Sequence, residues 1–342
     1  MEFQVTWFIL WAVLWAVYFM LDGFVLGTGM LHYALTRSDK EKKVLINTVG
    51  PVWDGNEVWL VTAGGATFAA FPKTYALMFS YLYSALLLLL FGLIIRGVSL
   101  EFRGKIHNDG WKRAWDIGIF IGSAVPALLF GVAFGNIFSG LPMDATGYHG
   151  SLLALLNPYG LLTGALFVLM FLTHGSLYVC VKTEGEVCDR SSAAANKLWY
   201  AELVIAVLFL ISTAFSTRLY DNYLNTSMLL VVPILAVTAL VGIKVFLVLK
   251  SPLMAFASSC LTILMVVFTG VIGLFPNLIP SSIDIAHSLT IFNSSSSTYT
   301  LKIMTVVALI FVPIVIAYKI WVYRVFRSTV TDEVVAENEL MY

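Results

Sequence analysis

Long apolar runs interrupted by short polar stretches make up the pattern of this chain. Runs of the length that crosses a bilayer, about 20 residues, lie near 4–28, 48–71, 74–95, 115–138, 155–180, 199–217, 228–249, 254–275 and 303–325. The breaks carry turn and loop chemistry: Arg37 to Lys43, Phe71-Pro72-Lys73, Arg103 to Lys112, Lys250-Ser251-Pro252 and the serine run Ser294 to Ser297. This pattern predicts an all-α polytopic membrane protein of about nine transmembrane helices, a single integral membrane domain over residues 1–342. The first run is too long for a signal peptide and opens without basic residues, so it reads as a retained helix. No internal repeat is visible.

Lysine and arginine test that pattern. With the N-terminus outside and every span crossed in turn, one face collects Arg37, Lys40, Lys42 and Lys43, then Arg96, Arg103, Lys105, Lys112 and Arg113. The same face takes Lys182, Arg190, Lys197, Lys244, Lys250, Lys319, Arg324 and Arg327. The other keeps only Lys73, Arg218 and Lys302, so 17 of the 20 basic residues fall on one side. Positive charge accumulates on the cytoplasmic face of membrane proteins. The expected topology is therefore N-terminus outside and C-terminus cytoplasmic.

Composition agrees: 59% of residues are hydrophobic and 12% charged, against about 25% charged in soluble domains. Net charge is zero, and no basic run suggests nucleic acid. Cys180, Cys188 and Cys260 show neither CxxC spacing nor histidine neighbours, which indicates neither a zinc site nor a disulfide framework.

Ionisable groups inside spans are costly and are functional candidates by default. At 1.5 Å rise per residue, Asp22 lies roughly 25 Å into the first run, and Asp54 lies at a similar depth counted back from Phe71. Arg96 ends the third run, Asp116 opens the fourth, His174 is late in the fifth and Glu202 early in the sixth. All fall in one cytoplasmic-side layer, where helices 1 to 4 are expected to join Asp22, Glu57, Arg96 and Asp116 in a buried polar network. Asp54 and Glu57, at i and i+3, share a helix face, and two acids buried on one face invite proton exchange. Plainer readings stand beside these. Asp22 pairs with Arg96 and does nothing else; Asp116 and Glu202 are interface residues; His174 is a satisfied structural histidine. None of His32, His107, His149, His174 and His287 has a haem-ligand setting, so no cofactor or metal is expected on this chain alone. Gly23 and Gly27, a GxxxG pair, and Gly64-Gly65 read as helix-packing positions. Trp53, Trp59, Trp111 and Trp115, near predicted helix ends, fit an aromatic belt.

Several blocks together resemble one family. Asp22-Gly23-Phe24 with Gly27-Thr28-Gly29-Met30-Leu31 is similar to the first-helix signature of cytochrome bd quinol oxidase subunit II. Pro51-Val52-Trp53-Asp54-Gly55-Asn56-Glu57-Val58-Trp59-Leu60 and Thr62-Ala63-Gly64-Gly65-Ala66 resemble its second helix. Trp115-Asp116, Gly118 to Ser123 and Gly131 to Asn136 resemble the fourth; Leu155 to Leu161, Phe275-Pro276 and Ile279 to Ser282 complete the likeness. The resemblance implies a heterodimer with a larger subunit I that carries haem b, haem d and the quinol site. It also allows a small accessory subunit, with membrane lipid around the whole. Such a complex sits in the bacterial inner membrane, oxidises quinol and reduces dioxygen to water with protons drawn from the cytoplasm. For this chain it implies a proton path through Asp54, with Glu101 and Lys105 at its mouth and Trp59 near an oxygen route. Many members carry aspartate where this chain has Glu101. The depth argument reaches Asp54 without the resemblance.

Two other classes fit buried acids among apolar helices. A proton-coupled secondary transporter would carry them too, but an odd number of spans and no inverted repeat weigh against it. In a purely structural assembly subunit the acids would serve only as ion-pair partners.

Overall fold

The computed structural model describes residues 2–331. In chain order its helices are α1 (Glu2–Met30), α2 (His32–Leu35), α3 (Asp39–Val49), α4 (Trp53–Ala70), α5 (Pro72–Tyr81), α6 (Tyr83–Phe102) and α7 (Asp109–Ser139). They continue as α8 (Pro158–Lys182), α9 (Gly185–Ser216), α10 (Asp221–Asn225), α11 (Val231–Val248), α12 (Pro252–Leu274) and α13 (Thr298–Val325). Two short antiparallel ladders, β1 (Met143–Asp144) with β2 (Gly147–Tyr148) and β3 (Asn277–Ile279) with β4 (Leu289–Thr290), tie the loops at one end of the bundle.

Eight described helices are long and apolar enough to cross a membrane: α1, α6, α7, α8, α9, α11, α12 and α13. The expected second span, α4, falls short because Asp54, Asn56 and Glu57 crowd its first turns. The run 48–71 is also not one helix. Pro51 has no N–H to continue the ladder, so α3 ends at Val49 and α4 starts at Trp53. α3 begins inside the stretch read as a loop, with Ser38 as its N-cap accepting from the Glu41 N–H. The third run bends at Leu82 between α5 and α6, and α6 continues to Phe102. Arg96 therefore lies inside a helix, not at its end. Asp116 likewise sits in the second turn of α7, which begins at Asp109, and the sixth run starts well ahead of residue 199, at Gly185.

Helix α1 is the hub and packs against α4, α7, α8, α12 and α13. Its aromatic residues Trp15, Tyr18 and Phe19 meet Phe130 and Phe134 of α7 and Phe167 and Phe171 of α8 at ring separations of 5.1–6.5 Å. Small residues set how close α1 and α8 come. A Cβ on Gly27 would lie 1.8 Å from the Phe171 carbonyl oxygen, and one on Gly175 would lie 2.5 Å from the Gly27 backbone. No larger residue fits at that crossing, as expected where backbones approach in lipid.

Candidate functional site

The predicted polar network exists as two clusters, not one. The first joins α1, α4 and α6. Arg96 donates from Nη1 and Nη2 to the two carboxylate oxygens of Asp22, both at 3.1 Å, and from Nη2 to Glu57. The Tyr18 hydroxyl adds a hydrogen bond to Asp22 at 3.1 Å. Asp22 and Arg96 are fully enclosed, whereas a quarter of the Glu57 side chain is exposed. A fork-shaped guanidinium is the group best suited to two carboxylates. Two acids on one guanidinium leave one negative charge uncompensated within the trio.

The second cluster lies at the end of the bundle rich in lysine and arginine. Asp116, buried in α7, accepts from His32 Nε2 at 2.7 Å, from Lys42 Nζ at 2.7 Å and from Arg103 Nε. Arg103 also reaches Asp39 at 2.7 Å, and Lys112 binds the other Asp39 oxygen at 2.8 Å. Burial alone would raise the Asp39 carboxyl, but Lys112 and Arg103 outweigh it and hold the group below the usual carboxylate range. For His32 burial dominates and lowers its basicity. Asp116 pulls the other way, while Arg103 and Lys42 oppose a second positive charge. The imidazole is therefore a neutral donor to Asp116, despite the short contact. Asp116 does not join Asp22, Glu57 and Arg96, because Lys42 of α3, Arg103 just beyond α6 and His32 of α2 are its partners instead.

Asp54 is exposed on the surface of this chain, not buried beside Glu57 as the sequence suggested. It lies in the first turn of α4, where a carboxylate is favoured by the helix dipole, and it accepts from the Gly55 N–H. Asp54, Val58, Val61, Gly65 and Phe68 form one exposed stripe along α4, while Glu57 turns inward to Arg96. Lys319 of α13 lies beside this helix start: its Nζ is 3.4 Å from Asn56 Oδ1, and it feels the charges of Asp54 and Asp22. Tyr323 donates to the same Asn56 oxygen at 3.0 Å, and Asn56 donates to the Leu21 carbonyl at 2.8 Å.

Glu101 is half-buried and Lys105 exposed, and among the described residues neither forms an ion pair with Asp54. Trp59 is buried in the main core and lines a groove between α1, α4 and α13. His174 is fully buried, with Nε2 2.9 Å from the Met20 carbonyl and Nδ1 2.6 Å from Ser259 Oγ. A carbonyl only accepts, so Nε2 carries the proton; Nδ1 faces the Ser259 hydroxyl, which also donates to the Phe256 carbonyl at 2.7 Å. Both nitrogens are committed. Glu202 lies apart on α9, lining an apolar cavity of about 110 Å³. Sequence reasoning missed His32, Lys42, Arg103, Asp39 and Lys319 as site residues. For Lys42, Arg103 and Lys319 the signal was present as positive charge, but it served only to orient the chain; His32 and Asp39 carried no such signal.

Comparison with known proteins gives a consistent result. The sequence model described as "Cytochrome bd terminal oxidase subunit II" matches residues 3–326. The chain is 36% identical to the Escherichia coli (strain K12) protein named cytochrome bd-I ubiquinol oxidase subunit 2, over 98% of this chain and 97% of that one. It is 37% identical to cytochrome bd ubiquinol oxidase subunit 2 of Bacillus subtilis (strain 168), covering 96% of each. In fold it resembles a chain of the bd oxidase from Geobacillus thermodenitrificans, with a TM-score of 0.79 at 17% identity over 95% of this chain and 99% of that one.

Proposed function

The chain belongs to the cytochrome bd terminal oxidase subunit II family, and from that premise we propose that it supplies a proton path to a haem-bearing partner subunit. It acts as one subunit of a membrane quinol:dioxygen oxidoreductase, multi-pass in the bacterial inner membrane. Each quinol oxidised to quinone releases two electrons and two protons, and four electrons and four protons reduce one dioxygen to two waters. The enzyme therefore needs protons delivered to the oxygen site as fast as electrons arrive.

The observation that carries this reading is the outward stripe of α4. A carboxylate on an otherwise apolar helix face, flanked by Val58, Val61 and Phe68, is costly against lipid. It is well placed against a second subunit that takes its proton. Gly64 and Gly65 leave open space where a Cβ would stand, so another helix can approach that face closely. Inward of the stripe, the Glu57–Arg96–Asp22 trio has a carboxylate to spare, which suits it to hold a proton and pass it on. Lys319 offsets charge beside Asp54. The basic end of the bundle, with Lys42, Arg103 and Lys112, is read as cytoplasmic, with Glu101 and Lys105 near the mouth of the path.

Haem b, haem d and the quinol site are assigned to the larger partner, subunit I. The histidines here fit that assignment: both His174 nitrogens are hydrogen-bonded and His32 Nε2 is bound to Asp116. Haem bound in the partner supplies the redox chemistry at oxygen. This chain binds, orients and moves protons. The test is co-purification. A tagged chain expressed with its partner should carry haem absorption bands, and the same chain alone should carry none. A haem with this chain as its sole axial-ligand donor would overturn the assignment of the haems, and a complex without haem would overturn the reading and favour a transporter.

A further inference from the structure

The two charge clusters are separated by a small closed space. A cavity of about 10 Å³ lies among α1, α3, α6 and α7, room for the centre of one water molecule. Its walls bring together Thr28, His32, Arg96 and Ser123, none of them more than 2% exposed. Three polar atoms of these walls, Thr28 Oγ1, Ser123 Oγ and Arg96 Nε, have no hydrogen-bond partner among the described protein groups. Buried polar atoms in folded proteins are otherwise almost always bonded, to protein or to ordered water. Three unpaired atoms on one cavity are therefore a site, not an accident of packing. The Nη groups of Arg96 are taken by Asp22 and Glu57, so Nε is the part of the guanidinium left to face elsewhere. Gly29 completes the wall: a Cβ there would lie 2.0 Å from Ser123 Oγ, so a larger residue would displace that hydroxyl.

We propose that this cavity holds one ordered water, accepting from Arg96 Nε–H and hydrogen-bonded to the Thr28 and Ser123 hydroxyls. It lies between the Asp22–Arg96–Glu57 trio, which it touches through Arg96, and His32 of the Asp116 cluster, which borders the same cavity. The number of partners matches what a buried water requires, two to four polar groups. His32 borders the same cavity while its Nε2 is held by Asp116, so the water lies between a guanidinium on one side and a titratable imidazole on the other. A change of charge on His32 would act on this water across the cavity, and through it on the Arg96 guanidinium. The site itself stands on the cavity and its three polar atoms; its part in turnover rests on the proton-supply reading above.

A structure of the intact oxidase at a resolution that shows other buried waters tests the site. Density is expected within about 2.7–3.2 Å of Thr28 Oγ1, Ser123 Oγ and Arg96 Nε. No density there in the wild type would overturn the site. The double variant Thr28→Val, Ser123→Ala keeps the volume nearly unchanged and removes two of the three partners. It should lose the density and lower oxygen-reduction turnover two- to fivefold at unchanged haem content. Loss of the density with wild-type turnover would overturn the connection. If the double variant fails to assemble, the wild-type density alone decides. Failure of the proton-path reading is separable, because full turnover in Asp54→Asn would leave the density where it is.

Discussion

The two buried arginines Arg96 and Arg103 each meet two carboxylates, and those partners decide what each charge can do. Removing Arg96 would strand the fully enclosed Asp22 carboxylate, a loss of order 3–5 kcal/mol. That explains a fully buried guanidinium without any catalytic role of its own. The charges were legible in the sequence because an acid or arginine in an apolar run stands out. Their pairing was not, because it depends on which way each helix turns: Glu57 faces Arg96 while Asp54, three residues away, faces out. His32 drew notice in the sequence only as a histidine without a haem-ligand setting, yet it is 1% exposed and donates to Asp116. Its basicity is lowered in the fold, chiefly by burial, so folding favours the neutral ring. The stability this contributes is present above the unfolded value near 6.5 and is lost as pH falls through the lower folded value. The thermal midpoint of the solubilised oxidase should therefore drop between about pH 7 and pH 5. His32→Gln, which can donate to Asp116 but does not titrate, should flatten that drop. Equal slopes in the two proteins would contradict the assignment.

At the scale of helices, hydropathy located the apolar runs well and their ends poorly. Runs end where lipid ends, but helices continue until a cap or a proline stops them, so α9 extends back to Gly185 and α6 on to Phe102. α3 was missed because Asp39 to Lys43 looks like a polar loop; it is the charged first turn of an amphipathic helix capped by Ser38. α4 was placed as a span although its acidic start leaves it less apolar than the other eight. A helix of 18 residues rises about 27 Å, enough to reach most of the way across a core of about 30 Å. The alternation of basic residues depends on α4 crossing. A reporter active only in the cytoplasm, fused near Lys40 to Lys43 or at the C-terminus, should give signal. Fusions near Pro142 and Ser295 should be silent. Signal at Ser295 would break the alternation at α13.

For the whole molecule, the resemblance read from short blocks extends over residues 3–326, and the fold follows that of a solved bd oxidase chain. What the sequence could not show is that the polar residues form two clusters around a hub helix, with Asp54 turned away from both. That placement bears on mechanism. Asp54 has no buried ion pair to lose, since Arg96 is engaged by Asp22 and Glu57, so replacing it should not cost assembly. A path from the basic end of this chain to a partner across α4 needs a group at that face that gains and loses a proton, and Asn cannot. The deciding measurement is oxygen consumption per haem by the purified Asp54→Asn complex against wild type. With assembly and haem content near wild type, turnover should fall at least tenfold, an added barrier of about 1.4 kcal/mol. A fully assembled Asp54→Asn enzyme that consumes oxygen at the wild-type rate would contradict the claim that this subunit supplies protons through Asp54.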